Sequence, residues 1–139
     1  MKKLLPRLTL MVCLLILVLT KSIGQTTIKE ITDKFFSIYS TDPIKAVDYC
    51  FSTNKVFDKK QDDILNLKNK LKDLIGLVGE FEGYEFLSEK SAGSNVKLII
   101  FIVRYEREPV RFNFLFYKPN DKWQVNNFSF DDNIEKELQ

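Results

Sequence analysis

With no histidine among its 139 residues, this chain would have to move protons near neutral pH with carboxylates and tyrosines. An acid such as Asp48, Glu85 or Glu106 could take a proton from carbon if it lay in a dry pocket beside Tyr39, Tyr49, Tyr105 or Tyr117. The tyrosine hydroxyl would then stabilise the oxyanion. No motif or spacing ties any such pair together. The plainer reading, adopted here, makes the tyrosines amphipathic edges of the core and leaves the acids in solvent. The missing histidine also excludes Ser–His and Cys–His nucleophilic pairs and histidine metal sites. Five glycines fall in neither a phosphate-cradling nor a dinucleotide-binding pattern. The sequence therefore predicts no catalytic residue, no metal and no cofactor.

Binding chemistry is left. Tyr39, Tyr49, Tyr105 and Trp123 are the candidates for an apolar ligand site, since each ring offers a large apolar body with one polar end. Arg104, Arg107 and Arg111, with Glu106 and Glu108, crowd one turn. Arg104, Arg111 and Tyr117 are the candidates for a surface that meets an anionic ligand or a protein partner. The competing reading is a solvated hairpin end whose charges discourage edge pairing. Cys50, between Tyr49 and Phe51, reads as a buried small hydrophobe and not as a reactive thiol.

Compartment and charge follow from the first residues. Lys2, Lys3 and Arg7 precede an uncharged apolar run at residues 8–19. Ser22-Ile23-Gly24 then places small residues three and one positions before a cut ahead of Gln25. This is the pattern of a secretory signal peptide. It predicts residues 1–24 as signal and residues 25–139 as one exported domain, periplasmic or secreted. A dozen apolar residues fall short of the roughly 20 that span a bilayer, so no membrane attachment is expected after cleavage. The segment carries Lys2, Lys3, Arg7 and Lys21 and no acid; without those four, the 21 basic residues become 17 against 19 acidic ones. Nothing in that balance offers the clustered basic surface that nucleic acid requires. Only Cys50 remains after the cut, so hydrophobic packing and not an internal disulfide must hold the domain.

The elements that would position these side chains are legible from periodicity. Thr27 and Glu30 make a capping box ahead of Ile28, Ile31, Phe35 and Ile38, which recur at helical spacing through Ser40. Asp42-Pro43 starts a short second helix ending near Cys50, and residues 51–57 connect it to a third. That helix is expected to open at Asp58 with Gln61 as capping partner and to end at Gly76 and Gly79. Its buried stripe is Ile64, Leu67, Leu71, Leu74 and Val78. Strands follow at residues 84–90, 96–106, 110–117 and 123–130, separated by turns at 91–95, 107–109 and 119–121. Residues 96–106 are apolar on both faces in their middle, which predicts a central strand.

Register can be predicted as well. A two-residue loop at Arg107-Glu108 would set Phe112 opposite Val103, Phe114 opposite Phe101, and Arg111 opposite Arg104, an unfavourable pair. Pairing Phe116 with Val125 sends Phe128 and Phe130 to the wrong face unless a bulge at Asn126-Asn127 supplies one extra residue. Residues 131–139 read as a charged tail with one frayed helical turn. Three N-terminal helices packed on a curved four-stranded antiparallel sheet make an α+β domain.

The Asp42-Pro43 helix start, the Leu77-Val78-Gly79-Glu80-Phe81 junction and the closing Asp121-Lys122-Trp123-Gln124-Val125 stretch, in this order of elements, resemble the nuclear transport factor 2-like superfamily. In manner the chain is similar to its small exported bacterial domains. A cystatin-like layer of helix on sheet fits the same elements. The resemblance implies a cone with an apolar pocket between sheet and helices. That scaffold hosts isomerases, dehydratases and cyclases as well as non-catalytic binding or dimerising domains, and fold alone does not choose. The chain is thus expected to be an exported, non-enzymatic domain that binds a small apolar ligand or a protein partner. The alternative is a ketosteroid-isomerase-like enzyme. A homodimer, if formed through the outer sheet face, would use Leu115 and Tyr117.

Overall fold

The computed structural model describes residues 26–139; the signal-peptide pattern and the cut before Gln25 lie outside the described residues. Helix α1 (Ile28–Tyr39) is closed at its start by the predicted capping box. The Thr27 hydroxyl accepts from the Glu30 amide at 3.2 Å, and the Glu30 carboxylate accepts from the Thr27 amide at 2.6 Å. Two otherwise orphaned donors of the first turn are satisfied in this way. Helix α2 (Pro43–Ser52) starts on Asp42, whose carboxylate accepts from the amides of Lys45 and Ile44. Those bonds, that of Lys45 above all, hold the Asp42 carboxyl below its ordinary range.

Helix α3 (Gln61–Val78) starts later than expected and ends, as expected, at Gly79. Residues Lys55–Lys59 form a separate 3-10 turn capped by the Asn54 side chain, so α3 begins three residues beyond Asp58. Its N-cap position falls to Lys60, which offers no side-chain acceptor. The helix then passes through Gly76 and stops at Gly79, where φ is 90°. Any side chain at Gly79 would be strained there and would place its Cβ 2.5 Å from a Glu106 carboxylate oxygen. The stripe faces inward as predicted, with Ile64, Leu71 and Val78 buried and Leu67 and Leu74 half-buried.

Four antiparallel strands follow in sequential order: β1 (Phe81–Ala92), β2 (Val96–Tyr105), β3 (Pro109–Tyr117) and β4 (Gln124–Asp131). The sheet is open, with β1 and β4 at its edges. The expected β2–β3 register is off by two residues. Phe112 faces Phe101, Phe114 faces Ile99 and Arg111 faces Ile102, so Arg104 and Arg111 are not paired. The cause is that β2 does not turn directly into β3. Instead the amides of Glu106 and Arg107 donate to the carbonyls of Glu80 and Val78 at 2.9 Å, tying the end of β2 to the α3–β1 junction. A shift of two preserves which face each side chain takes, and the core assignment survives it.

The bulge is where the sequence puts it. Leu115 faces Asn127 while Phe116 faces Val125, which leaves Asn126 as the extra residue. Phe128 and Phe130 thereby return to the face of Phe114 and Phe112, their partners in the ladder. On that face the α1 residues Phe35 and Phe36 meet the strands. The Phe35 ring lies 4.9 Å from Phe114 and 5.3 Å from Phe128, and Phe36 lies 5.0 Å from Phe101. Phe35, Phe112, Phe114, Phe116 and Val125 are fully buried. The opposite face of the sheet is half-covered: Ile100 is buried and Leu98, Ile102 and Leu115 are intermediate. A C-terminal 3-10 helix (Ile134–Glu137) is held to that face by Arg111.

Candidate functional site

The predicted ligand residues occupy three separate places. Tyr39, from the end of α1, and Tyr105, from the end of β2, are buried together with their hydroxyls hydrogen-bonded to each other. Burial pushes the Tyr105 hydroxyl up to about 12 and Tyr39 higher still. They line a cleft of about 250 Å³ with Ser40, Pro43, Ile75, Glu80 and Phe81. Tyr49 lies elsewhere, half-buried on α2 with the Lys34 ammonium 4.8 Å from its ring centroid. Trp123 lies just before β4, among the residues of a larger groove.

That groove is a concavity over the sheet. It measures about 620 Å³ and runs between the start of α1 and the core-facing side of β1 and β2. Its apolar wall is Ile28, Tyr84, Phe86, Ile99, Phe101 and Trp123. The floor is firm, since Tyr84 stacks on the buried Phe36 ring at 3.7 Å and 7° and Phe86 meets Phe101 edge-on at 6.0 Å. It is also uncovered: Phe86 is 60% exposed and Tyr84 38%. Two ion pairs flank it, Lys29–Asp33 on α1 at 2.5 Å and Lys97–Glu89 across β2 and β1. Of the four residues picked out from sequence, only Trp123 belongs to this groove. The signal for the others was the alternation of Tyr84 and Phe86 on a strand that otherwise carries charges, two rings on one face of a sheet edge.

The acids considered as general bases are engaged or open to solvent. Asp48 pairs with Lys68 of α3, and Glu85 lies 3.4 Å from Arg104. Glu106 lies 4.0 Å from Arg107, both half-exposed. Among the described residues, no hydrogen bond joins a carboxylate to a tyrosine hydroxyl, and no three His, Cys, Asp or Glu side chains gather as a metal site. Cys50 is buried in the core and burial raises its thiol, in line with the bland reading.

Of the charged cluster, Arg104 and Arg107 line one surface cleft with Glu106 and Glu108, while the register sets Arg111 apart, opposite Ile102. Arg104 lies 3.4 Å from Glu85, and Arg107 donates to the Leu77 carbonyl at 2.9 Å. Arg111 is largely buried, bonded to both carboxylate oxygens of Asp131 and to Glu137. Tyr117 stands part-exposed at the end of β3. Among the described residues no helix is long and apolar enough to cross a membrane. Comparison of the chain with protein-family models, with curated proteins and with solved structures found no match.

Proposed function

We propose that this is an exported, non-enzymatic binding domain that takes a small, largely apolar molecule in the groove between α1 and the sheet. The observation that carries the reading is the uncovered aromatic floor: Tyr84 and Phe86, backed by Phe36 and Phe101, face open space of about 620 Å³. Pockets of roughly 300–1,000 Å³ lined by apolar and aromatic side chains, with a few polar groups at the rim, suit small molecules. The middle of the helix–sheet layer is packed with phenylalanine, so a ligand has this end of the layer and not a central cone. The basic and apolar pattern of residues 1–24 supports export. The open sheet with three helices is compatible with either a nuclear transport factor 2-like or a cystatin-like relationship.

An isomerase of the ketosteroid type is less well supported, because its acid and its tyrosine would have to meet in a water-poor pocket. Here the buried tyrosines bond to each other and the nominated acids face cations or solvent. Native mass spectrometry of the protein recovered from its own cell envelope tests the binding reading. Bound small molecule is expected on the wild type and is expected to be lost from Phe86→Asp, a change at an exposed position that leaves the core intact. A wild type that emerges bare, with a groove that no added apolar probe enters, would sink the proposal.

A further inference from the structure

The groove is graded along its length. Along β2 it begins at Lys97 and continues through Ile99 to Phe101, with Glu89 opposite Ile99 and Phe86 opposite Phe101 on β1. Four residues of strand make the Lys97–Phe101 span about 13 Å. A second cation stands beside Trp123 at the polar end, next to the residues that line the groove. Lys118, just after β3, sits with its ammonium 5.1 Å from the Trp123 ring centroid, and its amide donates to Asn95 at the start of β2. At that end Lys97 is already paired with Glu89, while Lys118, beside Trp123, has no acidic partner among the described residues. At the start of α1 the Thr27 amide is taken by the Glu30 carboxylate and the Glu30 amide by the Thr27 hydroxyl, so the lysines are the charged donors on offer at this end. The flanking Lys29 is turned to solvent, its side chain 81% exposed.

Resting on the reading of the groove as a ligand site, we infer that its occupant is a free single-chain amphiphile with an anionic head, of the fatty-acid class. The tail lies along Ile99, Phe101 and Phe86, and the carboxylate lies between Lys97 and Lys118 beside Trp123. A cationic head would meet two like charges. An uncharged head would leave both ammonium groups without a new partner.

Trp123 is the sole tryptophan of the chain, so its emission reports on this end of the groove directly. The test titrates the protein below micellar concentration with decanoate, decanol and decyltrimethylammonium. Decanoate is expected to act at the lowest concentration. Glu89→Gln frees Lys97 and should tighten decanoate about two- to fivefold, while Lys97→Gln with Lys118→Gln should weaken it by a similar factor. Neither change should move decanol. A gain of affinity in Glu89→Gln is not something a damaged fold produces, and thermal melts of both variants control for the loss. If decanol or the ammonium matches decanoate, or if both charge variants leave decanoate unmoved, the head-group assignment is overturned while the groove stands. If none of the three probes perturbs Trp123, the groove reading and this inference fall together.

Discussion

Thr53 and Asn54 do more for this fold than their place in a connecting segment suggests. The Val125 amide donates to the Thr53 hydroxyl at 2.9 Å, and the Asn54 side-chain amide donates to the Val125 carbonyl at 3.0 Å. Two short polar side chains at the end of α2 thereby satisfy both backbone groups of an edge-strand residue beside the bulge. Asn54 is itself buried and also caps the following 3-10 turn. Asn54→Ala should cost about 1–3 kcal/mol, because a buried carbonyl loses its donor; the measurement is a urea midpoint that falls at constant slope. This clamp could not be read from sequence, where Thr and Asn in a loop signal a turn and say nothing of a strand some 71 residues away. The Tyr39–Tyr105 pair, 66 residues apart, is hidden for the same reason. Both hydroxyls are raised by burial, Tyr105 to about 12, against an ordinary value near 10. A raised pKa means the fold favours the neutral form, so the contribution is whole below pH 10 and is lost as pH climbs through 12. Replacing both tyrosines with phenylalanine should therefore move the alkaline unfolding midpoint, followed by circular dichroism, to higher pH.

Among the elements, β4 is the most sharply specified. Its inward residues Val125, Phe128 and Phe130 cannot share a face under strict alternation, and Asn126 resolves the conflict. Deleting Asn126 should leave β4 either with its two phenylalanines in solvent or with its ladder broken. The expected outcome is loss of the cooperative thermal transition, whereas Asn126→Ala, which keeps the residue count, should melt within a few degrees of wild type. Parity made this bulge legible: the alternation of Phe112, Phe114 and Phe116 and that of Phe128 and Phe130 are each plain, and only one insertion reconciles them. Loop length was less legible. The two-residue turn expected at Arg107-Glu108 gave way to backbone bonds with Glu80 and Val78, partners that no local pattern announces. Asp58 is a good N-cap residue by type, yet it is spent inside a 3-10 turn, and α3 starts only at Gln61. The groove suffered most. Sequence places Tyr84 on a modest strand, but only the offset of α1 over the sheet decides that it and Phe86 stay uncovered.

For the molecule as a whole, the two faces of the sheet are held in different ways, and this has a consequence for its behaviour in acid. The inner face is held by aromatic packing that no proton can disturb. The outer face has its C-terminal 3-10 helix fastened through Arg111, whose side chain is only 14% exposed. Its guanidinium reaches Asp131 at 2.9 and 3.0 Å and Glu137 at 2.5 Å. Partial burial works against charge on Asp131, but bonds from Arg111, from the Asn133 amide and from Asn113 outweigh it and hold its carboxyl below the ordinary range. A depressed folded pKa gives stability that is complete above the unfolded value, near 3.9, and that drains away as pH falls through the folded value. The tail should therefore loosen before the core in mild acid. Amide hydrogen exchange at residues 132–139, corrected for its intrinsic pH dependence, is expected to accelerate below about pH 4 while β2 and β3 stay protected. Asp131→Asn should give the same acceleration at neutral pH, since the asparagine cannot supply the charge that Arg111 is buried against. Equal protection of tail and core down to the point of global unfolding would show that Arg111 is not what holds the tail.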